Sequence, residues 1–476
     1  MAGESVEPQS KKAKTSSSQI YFELVELSGR VVAKGTWSAT LRASCLYQRA
    51  HLAKPGYRCR LLQGSWEITP TTPLAALDLS LGNCIQVVWL SSSAADRRSR
   101  SRAFAAIKAD GSVVTWGKAT CGGDSSAVAA LLTEGVVQVC ANDDAFAAIK
   151  AGGSVVTWGN ARYGGDSSAV AALLREGVVQ VCASHFSFAA IKEDSSVVTW
   201  GDAEVGGDSS AVAPLLAEGV VQVCGNQFAF AAIKADGSVV TWGRASFGGD
   251  SSAVAPLLAE GVVQVCGNDI AFAAIKADGS VVTWGQADAG GDSSAVAPLL
   301  REGVVQVCGS CSAFAAIKAG GSVVTWGDPS WGGDSSAVAP LLKEGVVQVC
   351  ATFNAFAAIK AGGSVVTWGK AGAGGDSSAV APLLAEGVIH VCANDRAFAA
   401  IKADGSVVTW GKAGAGGDSS AVAALLTEGV VQVCANYRAF AAIKADGSVV
   451  TWGYARRGGD SSAVAALLRE GVVQVC

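Results

Sequence analysis

The chain has 476 residues, 50% hydrophobic and 16% charged, the composition of a soluble globular protein with room for two or more domains. A formal charge of -4 spread over this length excludes the strong basic balance of a polyanion- or membrane-surface-binding protein. No run approaches the roughly 18 apolar residues of a membrane helix, and the polar opening MAGESVEPQSKKAKTSSSQ lacks the apolar core of a secretory signal, so a cytoplasmic or nuclear protein without membrane contact is expected. Residues 1–19 read as a disordered tail, whose Lys11 to Lys14 stretch, KKAK, is a short patch of the nuclear-import type.

From residue 20 to 90, IYFELVEL alternates toward a turn at Ser28-Gly29 and RVVAKGTW returns. LRASCLYQRAHLA then reads as a helix ended by Lys-Pro-Gly, and RCRLLQG, a LAALDL turn and CIQVVWL follow. The order strand, strand, helix, strand, strand, with ELSGR, RLLQG, PLAALDL and IQVVWL in their places, resembles the ubiquitin-like β-grasp. The resemblance implies a small α+β domain whose Leu27, Leu62 and Val88 match an apolar recognition patch for ubiquitin-receptor proteins. No Gly-Gly follows Leu90, so conjugation through the tail is not expected. Residues 91–102, SSSAADRRSRSR, read as a flexible linker.

Beyond it the tryptophan of VVTWG recurs nine times at a step of 42, from Trp116 to Trp452. Each unit carries three short apolar runs, FAAIK, VVTWG and VVQVC, separated by Gly and Asp, which predicts three strands. Asp-Gly or Gly-Gly between FAAIK and SVVTWG predicts a two-residue hairpin turn in eight copies, with Asp194-Ser195 a strained exception. After TWG every copy carries GGDSS and then AVAxLL, read as extended chain plus one helical turn. Proline at Pro214, Pro256, Pro298, Pro340 and Pro382 would break a helix running in from GDSS. Nine of the 14 cysteines occupy one repeated strand-end position from Cys140 to Cys476 and read as reduced structural thiols, while the lone Cys308-Gly-Ser-Cys311 lacks partners for a metal.

A unit of 42 residues cannot offset its own ordering entropy of ~1–2 kcal/mol per residue, so neighbouring units must cover one another's faces. DGSVVTWG, a Gly-rich loop, VVQVC and FAAI in this order resemble the β-propeller repeats of the regulator-of-chromosome-condensation family, in the compact form with three-stranded blades. The resemblance spans residues 103–476 and departs in its shorter loop and its nine copies, where seven blades are usual. The expected fold class is mainly β: a propeller of nine repeats following the α+β domain. The first repeat lacks a preceding VVQVC and the last lacks a following AFAAIK, so closure by the C-terminal strand is expected.

In an antiparallel meander, the loop between VVQVC and FAAIK and the loop after TWG lie at one end, and the Asp-Gly hairpin at the other. Both loops at the first end vary between copies, whereas the hairpin hardly does. Their residues Asp143, Asp144, Tyr163, His185, Phe186, Phe228, Phe247, Trp331, Phe353, Arg396, Tyr437, Arg438, Tyr454 and Arg456 mix aromatic anchors with polar groups, the blend of a protein-binding rim. Arg102, Lys118, Arg396, Arg438, Arg456 and Arg457 would form a basic arc if the ring closes. Acidic Asp143, Asp144, Asp202 and Glu204 on another arc point to a protein partner rather than nucleic acid. Nine copies of GGDSS with histidine only at His51, His185 and His390 build no triad, and no phosphate loop or EF-hand occurs, so neither enzyme activity nor a cofactor or metal is expected. The expectation is a monomeric, non-enzymatic scaffold. Alternatives are the recognition fragment of a HECT-type ubiquitin ligase, a class in which similar propellers occur, or a chromatin or nucleotide-exchange propeller.

Overall fold

The computed structural model describes residues 19–26, 31–39, 58–63, 66–68, 72–90 and 100–476, with residues 41, 43, 46 and 49 between them. Two compact units divide the chain, Met1–Ala95 and Asp96–Cys476.

In the first unit, β1 (Gln19–Glu26) pairs antiparallel with β2 (Val31–Ser38) and parallel with β5 (Cys84–Leu90). On its other edge β5 takes β3 (Arg58–Gln63), and β3 takes β4 (Trp66–Ile68), both antiparallel, giving the order β2-β1-β5-β3-β4. Alternation places Phe22, Leu24, Leu61, Ile85 and Val87 on one buried face, covered by Ala43, Leu46 and Leu74. Leu46 and Arg49 are helical, whereas Leu41 and Ala43, at the start of the expected helix, lie in a bend and a turn; the remaining residues of the expected helix, Leu27 and the Ser28-Gly29 turn lie outside the described residues. The buried Gln63 amide donates to the Asp78 carbonyl at 2.8 Å and accepts from the Asp78 amide at 3.0 Å, fixing the LAALDL turn against β3.

The second unit is built from repeats of one small sheet. β6 (Ala103–Lys108) and β7 (Val113–Gly117) form a hairpin, and β8 (Val136–Ala141), β9 (Ala145–Lys150) and β10 (Val155–Gly159) form the first complete trio. Seven further trios run from β11 (Val178–Ala183) to β31 (Val449–Gly453). The last strand, β32 (Val472–Val475), pairs antiparallel with β6, with Val475 opposite Ala106, so the described residues hold nine three-stranded sheets.

FAAIK is apolar on both sides because each middle strand is buried on both faces. Phe146 and Ala148 of β9 pack with Trp158 against Ala103, Ala105 and Ile107 of the preceding sheet. Ala145, Ala147 and Ile149 face Phe188 and Trp200 of the next. One face carries the large rings and the other a floor of alanines that receives them, so each sheet fits the next at close spacing. The same contact joins Phe104, Val114 and Trp116 to Ala439, Ala441 and Ile443, across the two ends of the unit.

Tryptophan adds a directed bond to this packing. Trp158 Nε1 donates to the Gly122 carbonyl of the preceding repeat at 3.0 Å, and Trp116 reaches Gly458 in the same way at 3.0 Å. Gly122 sits at φ +91° against the Phe146 ring, where a Cβ would approach to 2.4 Å, so the first glycine of GGDSS is dictated by the neighbouring sheet. The aspartate of GGDSS accepts the amide of the second serine, as Asp124 does from Ser126 at 2.9 Å, and so turns the chain into the connector.

Two local expectations are corrected. The hairpin link is a three-residue loop: the Gly111 amide bonds the Lys108 carbonyl at 2.8 Å, the Lys108 amide bonds the Ser112 carbonyl at 2.9 Å, and only the glycine adopts positive φ. The connector holds two 3-10 turns rather than extended chain and one turn, such as Ala203–Val205 and Ser210–Leu215. Pro214 lies inside the second and does not break it. A 3-10 run this short rests on few bonds, and those from Val212 to Ser209 and from Leu216 to Ala213 flank the proline.

Candidate binding rim

The loop after each VVQVC strand begins with Asn, Ser or Thr, and this residue builds the rim. Asn142 Oδ1 accepts the amides of Asp144 and Ala145 at 3.0 and 2.7 Å, while its Nδ2 donates to the Tyr163 carbonyl at 2.6 Å. One side chain thus shapes the first variable loop and ties it to the second. Asn226, Asn268 and Asn394 repeat the tie to Phe247, Ala289 and Ala415 at 2.6 Å each, and Ser310 and Thr352 make it by hydroxyl to Trp331 and Ala373. Ser184 makes the tie by relay: its hydroxyl meets that of Ser187 at 2.6 Å, and Ser187 donates to the Val205 carbonyl at 3.0 Å. Ser187, where other copies have alanine, restores a strut that Ser184 does not make directly.

The two variable loop sets therefore share one end of the sheets, and aromatic pairs join them. Tyr163 meets Phe186 at a centroid distance of 4.8 Å, Phe228 meets Phe247 at 4.7 Å, and Trp331 meets Phe353 at 4.9 Å. These six rings are half-buried, and Arg162 and Arg244 lie over Tyr163 and Phe228. Tyr454 and Arg456 are exposed, Arg396 is half-buried, and Arg438 and Arg457 flank the Tyr437 ring at 4.9 and 5.2 Å. Burial and the nearby Arg102 hold the Arg457 guanidinium below its usual range.

Charges expected to project are largely consumed within the rim. Asp143 and Asp144 are buried, with 7% and 5% exposure, so they do not form an open acidic arc. Asp144 Oδ1 accepts from Arg102 Nη1 and from the Cys121 thiol, each at 2.7 Å. Burial pushes the Asp143 carboxyl up to about 8, against the opposing pull of Arg100 and Arg102. Arg162 and Arg244 pair with Asp202 and Glu204 at 3.4 and 3.6 Å. In the first unit, Leu62 is half-buried opposite Gln86, Val88 lies opposite Arg60 on the same pair of strands, and Leu27 lies outside the described residues.

Sequence reasoning missed the inner circle of this rim. In six of the repeats the first residue of the variable pair donates its backbone amide to the same position of the next repeat: Asp143 to His185 at 3.3 Å, Gln227 to Asp269 at 2.9 Å, Asp269 to Cys311 at 3.2 Å and Cys311 to Phe353 at 3.1 Å. Phe353 continues to Asp395 and Tyr437 to Ser101, both at 2.9 Å. Ser101 stands one step of 42 before Asp143 and accepts the Tyr437 amide, so the end of the segment read as linker joins these contacts. That spacing was the available signal, because Ser101 carries the repeat register without the repeat sequence.

No protein-family model matches the chain, and no curated protein matches it. Among solved structures it is similar to yeast RCC1 (Prp20) bound by Kap60, at 13% identity over 72% of this chain and 89% of that one, with a TM-score of 0.39. It is also similar to Prp20p from Saccharomyces cerevisiae, studied for its binding to Gsp1p and histones, at 16% identity over 49% of this chain and 72% of that one, with a TM-score of 0.33. A third likeness is to the CRINKLY WD40 ectodomain of the Arabidopsis thaliana receptor kinase ACR4, at 16% identity over 60% and 93% of the two chains, with a TM-score of 0.34. Likenesses this distant add nothing to the strand pairings, on which the architecture of repeated three-stranded blades rests.

Proposed function

We propose that the nine sheets act as one closed propeller, and that the chain is a non-enzymatic scaffold holding a protein partner on the variable rim. The observation that carries this reading is the tie made by Asn142 and its equivalents, which gathers both variable loop sets on one end of an otherwise constant frame. Half-buried aromatic pairs beside arginines supply rigid anchors at low entropic cost, as in binding surfaces. The order β2-β1-β5-β3-β4 with a parallel central pair supports reading the first unit as ubiquitin-like, with Leu62 and Val88 in a patch for ubiquitin-system proteins. Enzyme activity is not part of this proposal.

The test is affinity capture from cells with the full chain and with Phe186→Ala, Phe228→Ala and Trp331→Ala combined. The variant should lose at least one partner held by the wild type while keeping its β-sheet spectrum. An identical partner set would overturn the rim as the binding face.

A further inference from the structure

At the mouth lined by the rim's inner backbone contacts sits a side chain one step of 42 before Asn142, an arginine where the repeats carry Asn, Ser or Thr. Arg100 keeps 11% of its side-chain surface exposed, and each nitrogen of its guanidinium faces a different repeat. Nη2 bonds Asp269 Oδ2 at 2.6 Å, Nε lies 3.8 Å from Asp395 Oδ1, and Nη1 lies 3.5 Å from His185 Nδ1. His185 Nδ1 stands in turn 3.8 Å from Asp143 Oδ1, and the Phe353 ring lies under the guanidinium carbon at 4.5 Å. Asp143, Asp269 and Asp395 are each 126 residues, three repeats, apart, so they come from every third sheet. A guanidinium is planar and directs its nitrogens along three axes, so two carboxylates and the imidazole that stands before Asp143 match it, whereas an ammonium offers a point charge.

We propose that this mouth is a guanidinium-binding site whose resting occupant is Arg100, and that the rim's protein partner enters it with an arginine side chain that replaces Arg100. Arg100 precedes β6, so withdrawing it breaks no strand pairing, and it takes one positive charge away from Asp269 and Asp395, which a second guanidinium would restore. Phe353, which lies under the guanidinium and meets Trp331 edge to face, links occupancy of the mouth to the outer anchors. The partner half of this inference rests on the rim being the binding face; the site itself does not.

The experiment uses the full chain with Arg100→Ala and Nα-acetyl-argininamide as probe, read by calorimetry and by thermal melting. The variant should bind the probe at least about tenfold more tightly than wild type, and about tenfold more tightly than it binds Nα-acetyl-lysinamide, the scale of one bidentate charge-assisted contact. Adding Asp269→Asn or Asp395→Asn should remove that gain. Equal binding by wild type and R100A, or a gain that survives both asparagine changes, would overturn the site. Should R100A fail to fold alone, refolding must be restored by the argininamide and not by the lysinamide, and no restoration would also overturn it. Phe228→Ala with Trp331→Ala in the R100A chain separates the two readings. Probe binding kept with partner capture unchanged defeats the rim and leaves the site; lost probe discrimination with rim-dependent capture defeats the site alone.

Discussion

Asp143 shows what one carboxyl meets when it turns into the mouth instead of solvent. Its pKa rises from 3.8 to about 8 because burial penalises the anion more than Arg100 and Arg102 favour it. The folded protein therefore holds a proton that the unfolded chain has released. This stabilising contribution is complete below pH 3.8 and is lost as pH rises to about 8. Asp143→Asn supplies a neutral side chain of the same shape. In urea titrations the wild type should lose stability relative to D143N across that window, and parallel profiles would refute the buried neutral acid. Asp110 and its equivalents work in the opposite direction, since the Ser112 hydroxyl and amide hold that carboxyl low, and the comparison of two chains differing only at 143 cancels them.

At the scale of one element, the hairpin link gives the clearest case of sequence governing shape. Gly111 adopts φ +77° in the three-residue loop, and a Cβ there would meet the Gly135 amide nitrogen at 2.5 Å. Ser195 occupies the same place at φ +65°, the one non-glycine residue with positive φ among those described. Relief of left-handed strain exceeds the extra unfolded-state entropy of glycine, so Ser195→Gly should stabilise the chain by on the order of 0.5–1 kcal/mol. Gly237→Ser should cost a similar amount, and urea midpoints that move the other way would show that the loop relaxes around serine. Strand positions, burial of both faces of FAAIK and the special status of Ser195 were legible, because each depends on residues within a few places of one another. The loop length was misread because Asp-Gly fits both a two-residue turn and a three-residue loop closed by glycine, and the register Lys108 to Ser112 decides between them.

Across the whole second unit, β32 completes the sheet begun by β6 and β7, and Val472 and Val475 enter the cluster that includes Phe104, Trp116 and Ile443. Deleting residues 472–476 should strip two buried valines worth about 1.5–3 kcal/mol each and leave β6 with an unpaired edge. The truncated chain should melt well below wild type and associate on gel filtration; a monomer with the wild-type melting curve would show that the first and last repeats do not depend on each other. The repeat period, the strand grammar and the shared rim of the variable loops followed from the sequence alone, because packing in a repeat is set by its own pattern and an identical neighbour. The inner circle, the burial of Asp143 and Asp144 and the seat of Arg100 were decided only by tertiary structure. They join residues one to eight repeats apart, and a carboxylate that recurs every third repeat has no signature in the residues beside it.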